Sequence, residues 1–177
     1  MAWKRGFGLL LGVLVFTGLS PLQANDRLSS YVQFHYSEFD DAENNGFGVA
    51  GSWKHKGFRL FGGYTSYDFN DVTVLGGGYA VIDDGGLQAE LGLSYQDYEL
   101  ADDGAVGAHL LLNHPLTPST TLTGKLGYLV YEDIDDQPLL GIGAHYQYTD
   151  EISAFANFEE QTERRASLFR LGVRYGF

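Results

Sequence analysis

From Phe169 to Phe177 the chain alternates without a break. Phe169, Leu171, Val173, Tyr175 and Phe177 fall on one side, and Arg170, Gly172, Arg174 and Gly176 on the other. A period of two is the signature of a β-strand with one apolar and one polar face. The same pattern recurs in segments of about 10 residues separated by Gly, Asp, Asn, Pro and Thr turns. It predicts ten strands over 28–38, 46–55, 57–67, 72–83, 86–98, 104–114, 120–132, 138–148, 152–162 and 166–177. No segment beyond residue 24 approaches 18 apolar residues, so the chain cannot cross a bilayer as a helix. Ten residues of strand rise about 33 Å, which at a tilt of about 40° covers an apolar band of about 25 Å. The fold class is therefore all-β: a single antiparallel transmembrane barrel of about ten strands, with eight as the alternative.

Alternation does not by itself say which face points outward, because a soluble barrel alternates too. Side-chain size decides. One face carries Val32, Phe34, Tyr36, Val49, Trp53, Leu60, Tyr64, Leu91, Leu93, Tyr95, Leu126, Tyr128 and Val130. The other carries Gly48, Ala50, Ser52, Gly63, Thr65, Gly92, Ser94, Gly141 and Gly143. Small residues suit the crowded interior of a narrow barrel, so the large apolar face is assigned to lipid. Tyr36, Tyr67, Tyr95, Tyr98, Tyr131, Tyr148 and Tyr175 lie near strand ends and are assigned to interfacial girdles.

The first 24 residues carry Lys4 and Arg5, an apolar run from Phe7 to Leu19, and Ser20-Pro21-Leu22-Gln23-Ala24. This is the layout of a cleaved secretory signal peptide, leaving residues 25–177 as one barrel domain. The chain has 11 Lys and Arg against 23 Asp and Glu. Without Lys4 and Arg5 the balance becomes nine against 23, or −14. Such a chain repels phosphate and is not a nucleic-acid binder. It contains no cysteine, which excludes disulfides and thiolate metal sites.

The predicted inner face carries a lumen charge cluster of Lys54, Arg59, Glu90, Lys125, Glu159, Arg170 and Arg174. Charges enclosed in this way must pair or be hydrated. A β9–β10 hairpin closing around residues 163–165 would set Glu159 opposite Arg170. Glu90 would share the lumen with Lys54, Arg59, Lys125 and Arg174. The cluster predicts either a charged plug or a narrow, anion-preferring constriction. His35, His109 and His145 fall on the same face, with Asn113 near His109, and read as lumen hydrogen-bonding groups. No cofactor is implied, and a metal site is not specified. Gly46-Phe47-Gly48-Val49-Ala50-Gly51 matches G-x-G-x-x-G, but it lies inside a strand with no helix after it, so it is no dinucleotide site. Gly76-Gly77-Gly78 reads as a bend or close-packing point.

The connections opposite the chain termini hold most of the acid: Asp40, Asp41, Glu43, Asp68, Asp71, Glu99, Asp102, Asp103, Glu132, Asp133, Asp135 and Asp136. Carboxylate oxygens suit Ca²⁺ and Mg²⁺, so an alternative role is surface binding through divalent cations or lipopolysaccharide. No His-x-Ser arrangement supports the third option, an outer-membrane hydrolase, and the chain is read as a non-enzyme.

The run Tyr31-Val32-Gln33-Phe34-His35-Tyr36, the Asp40-Asp41 loop, Gly46-Phe47-Gly48-Val49 and Phe61-Gly62-Gly63-Tyr64 resemble a family of small Gly- and Tyr-rich outer-membrane barrels. That family belongs to the broad OmpA/OmpX-like superfamily of Gram-negative porin-like proteins, many of which have eight strands. The final strand, ending on Phe177 with Tyr175 two positions earlier, resembles the signal by which the barrel-assembly machinery recognises such proteins, carried here by Phe169, Leu171, Val173, Tyr175 and Phe177. The resemblance implies a monomeric barrel in a Gram-negative outer membrane, in contact with lipid and lipopolysaccharide. Its function would be structural or that of a narrow porin-like channel.

Overall fold

The computed structural model of the protein describes residues 30–39, 44–68, 70–83, 86–99, 103–131, 135–161 and 166–177. The predicted signal peptide lies outside the described residues. So do Asp40, Asp41, Glu43, Asp102, Glu132 and Asp133 of the acidic connections.

Ten antiparallel strands follow one another around a closed barrel: β1 (Tyr31–Phe39), β2 (Asn44–His55), β3 (Phe58–Tyr67), β4 (Asp71–Asp83), β5 (Gln88–Tyr98), β6 (Asp103–Thr117), β7 (Thr120–Tyr131), β8 (Gln137–Gln147), β9 (Ile152–Gln161) and β10 (Ala166–Gly176). Each strand pairs with its chain neighbours, and β1 closes on β10 from Tyr31↔Gly176 to Phe39↔Leu168. Closure leaves no sheet edge, so every strand has a ladder on both sides, as a membrane requires. The count settles ten strands over eight. An even number returns both ends of the barrel to one side, taken as the periplasmic side.

Local chemistry fixes the turns on that side. Lys56 and Gly57, with φ of 48° and 83°, form a two-residue turn between the paired His55 and Phe58. Positive φ at both centres matches the right-handed twist of a tight hairpin. The β6–β7 connection is shorter than the sequence suggests. Pro115 to Thr117 belong to β6, which bulges there, and Thr117 pairs with Thr120. A second bulge at Ala80/Ile82 leaves both Val81 and Ile82 on the outer surface.

The outer wall is apolar. Phe34, Phe47, Trp53, Leu60, Leu75, Leu93, Val106, Ile142 and Val173 are all well exposed. No helix among the described residues is long and apolar enough to cross a membrane. The strands provide the apolar surface instead. Tyr79, Tyr146, Tyr148 and Tyr175 form a belt at the periplasmic end, and Tyr64, Tyr95 and Tyr128 face out towards the other end.

Three of the tyrosines assigned to girdles do not belong there. Tyr67, Tyr98 and Tyr131 point inward and are only 7 %, 1 % and 7 % exposed. They occupy the last positions of β3, β5 and β7, and Phe39 occupies the last position of β1. Parity explains the correction: Tyr67 lies an odd number of residues from the outward Leu60 and Tyr64, and strand direction alone puts it inside.

Candidate functional site: a charged lumen bridged over glycine

Side chains from all ten strands fill the barrel interior in layers. At the outer mouth Phe39 packs on Tyr67 with ring centroids 5.2 Å apart, and Tyr98 stacks on Tyr131 at 6.3 Å. Val72, Val74, Leu129, Leu139 and Leu168 join these rings in one apolar cluster. A narrow barrel has an interior just wide enough for such filling. Below the cluster lie the charges.

Arg59 and Glu90 form the central pair. Arg59 Nε donates to Glu90 Oε1 and Oε2 at 2.9 and 3.0 Å, and Nη2 also reaches Oε1. Arg59 sits on β3 and Glu90 on β5, so the pair spans β4. It does so over Gly78, which is in register with Arg59. A Cβ on Gly78 would lie 2.7 Å from Glu90 Cδ. The guanidinium also lies over the Phe61 ring, 4.5 Å from its centroid, a cation–π contact worth about 0.5–2 kcal/mol.

The second pair repeats this arrangement four strands further on. Lys125 on β7 reaches Glu159 on β9, Nζ to Oε1, at 3.6 Å. Gly141 on β8 is in register with both. A Cβ there would lie 3.1 Å from Glu159 Cγ and 3.2 Å from Lys125 Cβ. In both cases the middle strand's glycine removes the side chain that would separate the partners.

The structure thus divides the sequence-predicted cluster. It unites Arg59 with Glu90 and Lys125 with Glu159. It does not set Glu159 opposite Arg170. The hairpin closes with Gln161↔Ala166, which puts Glu159 opposite Leu168 and Arg170 opposite Asn157. The slip is two residues, so both side chains stay inside as diagonal rather than direct neighbours. Arg170 remains near enough to act on Glu159 and directs Nε to Ser37 Oγ at 3.3 Å. Arg174 lies over the rings of Tyr31 and Phe155, 4.1 and 4.9 Å from their centroids, and donates to Gln33 Oε1 from Nε and Nη2 at 3.2 and 2.8 Å. Lys54 stands at the periplasmic rim, 4.0 Å from Asp83 and part-exposed. Arg59 and Arg170, each 1 % exposed, rank among the most completely enclosed side chains.

The three histidines lie inside, as the alternation predicts. His35 Nε2 meets Thr65 Oγ1 at 3.1 Å, and His145 Nε2 meets Ser153 Oγ at 2.7 Å. His35 and His109 each have glycine in register on both neighbouring strands: Gly172 and Gly48 for the first, Gly92 and Gly127 for the second. Alternation puts Gly48, Gly92 and Gly172 on the same face as the histidines; that they stand opposite the imidazoles is a matter of register, which the sequence does not display. Gly76, Gly77 and Gly78 are a close-packing point: Gly76 abuts Phe61 and Gly78 abuts Glu90, while Gly77 faces out. Gly46 to Gly51 lie within β2. Among the described residues no group of three His, Asp or Glu is placed to hold a metal ion. Phe169, Leu171, Val173, Tyr175 and Phe177 all face outward.

A closed antiparallel barrel with an apolar outer wall and charges enclosed inside has the architecture of a transmembrane β-barrel. Solved structures share that fold. The NanC porin superposes with a TM-score of 0.60 at 8% identity, over 82% of this chain and 100% of that one. The KdgM porin gives a TM-score of 0.58 at 12% identity, over 83% and 99%. KdgM in complex with disordered oligogalacturonate gives 0.52 at 14% identity, over the same shares. No protein-family model and no curated protein matches the chain.

Proposed function

We propose that this protein is a non-enzymatic, porin-class barrel of a Gram-negative outer membrane, held closed by its lumen side chains and conducting small ions when they part. The observation that carries this reading is the buried Arg59–Glu90 pair bridging three strands across the interior. An ion pair sealed in a dry core contributes little net stability compared with apolar packing, so a barrel that served only as a structural element would be better filled with leucine and valine. A hydrated pathway instead needs groups that tolerate both pairing and water. The porin folds of KdgM and NanC support the same reading.

In this reading β10, the strand that closes the barrel, is also the one the assembly machinery recognises, through the outward residues Phe169 to Phe177. The outer wall contacts lipid and lipopolysaccharide, and the barrel works as a monomer. The test is single-channel conductance of the refolded protein in a planar bilayer, beside Glu90→Ala. Brief or rare openings in the wild type and sustained openings in the variant are expected. Silence in both proteins would refute the channel.

A further inference from the structure

Among the described residues the buried lysine and arginine side chains are four (Arg59, Lys125, Arg170 and Arg174) and the buried carboxylates two, Glu90 and Glu159. Glu90 meets Arg59, and Glu159 meets Lys125 with Arg170 near enough to act on it. Arg170 and Arg174 sit on β10, on either side of one histidine.

His35 occupies the centre of β1's inner face and is buried. Across the closing seam Gly172 is directly opposite it. Arg174 faces Gln33 and Arg170 faces Ser37, the inward residues before and after His35. Diagonal neighbours of this kind lie within reach of long side chains. No side chain at Gly172 separates the imidazole from the two guanidiniums. On its other side β2 presents Gly46, Gly48 and Ala50, and β3 presents Thr65, none of them charged. Beyond β10, β9 turns Ser153, Phe155, Asn157 and Glu159 inward. His35 Nδ1 has no hydrogen-bond partner among the described residues, so a proton can be added there without losing the Thr65 contact.

We propose that His35 is an acid-sensitive latch: its protonation makes a row of three positive charges, Arg170–His35–Arg174, along the β1–β10 seam and opens the lumen. The inference rests on the reading of the protein as a closed channel. Like charges repel strongly in a dry interior. Opening admits water and mobile anions that screen them. An imidazole hydrated in the open barrel takes up a proton in its ordinary range, around pH 6.5, so acid below that range favours the open barrel.

The experiment compares open probability at about pH 7.5 and about pH 5 for the wild type, His35→Gln, Arg170→Gln and Glu90→Ala, each first shown to be folded by circular dichroism. For the wild type a rise of about tenfold or more on acidification is expected. His35→Gln should abolish the rise, and Arg170→Gln, which removes one flanking charge, should weaken it. A wild type indifferent to pH while Glu90→Ala conducts would overturn the latch and leave the channel standing. An acid response that survives His35→Gln would also overturn it. Should His35→Gln fail to fold, an undiminished response in Arg170→Gln would do so in its place. Silence of every protein at both pH values would bring down the channel reading and the latch with it.

Discussion

Glu90→Ala is expected to lower the stability of the barrel by about 3–5 kcal/mol, the usual cost of removing one partner from a buried ion pair. The magnitude follows from what is left behind. Arg59 is almost wholly enclosed, and a buried charge that loses its partner is costly. Its hydrogen bonds to both carboxylate oxygens vanish together, and the Phe61 ring that remains offsets only part of the loss. The double variant Arg59→Met with Glu90→Leu removes both charges and keeps the volume. It should recover most of the stability, because a well-packed apolar pair matches or exceeds a buried ionic one. Equilibrium urea unfolding in lipid vesicles gives all three values. A single variant within about 0.5 kcal/mol of wild type, the range typical of an inert surface change, would mean that water already hydrates Arg59 and that the pair does not seal the lumen. Lys125→Met should behave in the same direction but less strongly, since the 3.6 Å pair is looser.

Much of this interior is legible in the sequence. The period of two set the ten strands. The contrast between Leu60 or Leu93 and Gly48 or Gly92 told the lipid side from the lumen side. Every member of the charge cluster lies on the predicted face, because face depends only on parity within a strand. The failures come from two other sources. Place at a strand end suggests a girdle for Tyr67, Tyr98 and Tyr131, whereas parity points all three inward. The partners of Glu159 and Glu90 depend on register between strands, and that is set by turn length. One turn, between Gln161 and Ala166, moved Arg170 by two positions. The Arg59–Glu90 and Lys125–Glu159 contacts also skip a strand. They are visible only once Gly78 and Gly141 are known to lie in the gaps, and single glycines among 24 carry no mark of that role in the chain.

Those glycines lead to the other large effect. Gly172→Ala is expected to impair closure of the barrel and to destabilise it by about 1–3 kcal/mol or more, the range for overpacking. Gly172 lies on β10 opposite His35, at the seam where the last strand meets the first. A Cβ there would collide with the Phe34 carbonyl oxygen and lie 2.7 Å from the Phe155 ring. The carbonyl belongs to the β1 backbone and cannot turn aside as a side-chain tip could. The Arg174 guanidinium lies over that ring. Relief therefore requires the seam itself to shift, which disturbs the ladder that removes the last open edge. Gly124→Ala is the matched control. Its Cβ would face outward with Leu112 Cβ at 3.8 Å, ordinary contact distance, so it should be neutral or stabilising by up to about 1 kcal/mol through a less flexible unfolded chain. Folding yield into vesicles and the urea midpoint, read side by side for the two variants, separate a steric requirement at the seam from a general cost of losing glycine. Equal behaviour of the two would show that the β1–β10 junction has slack, and the tight row of Arg170, His35 and Arg174 would then have room to relax without opening the barrel.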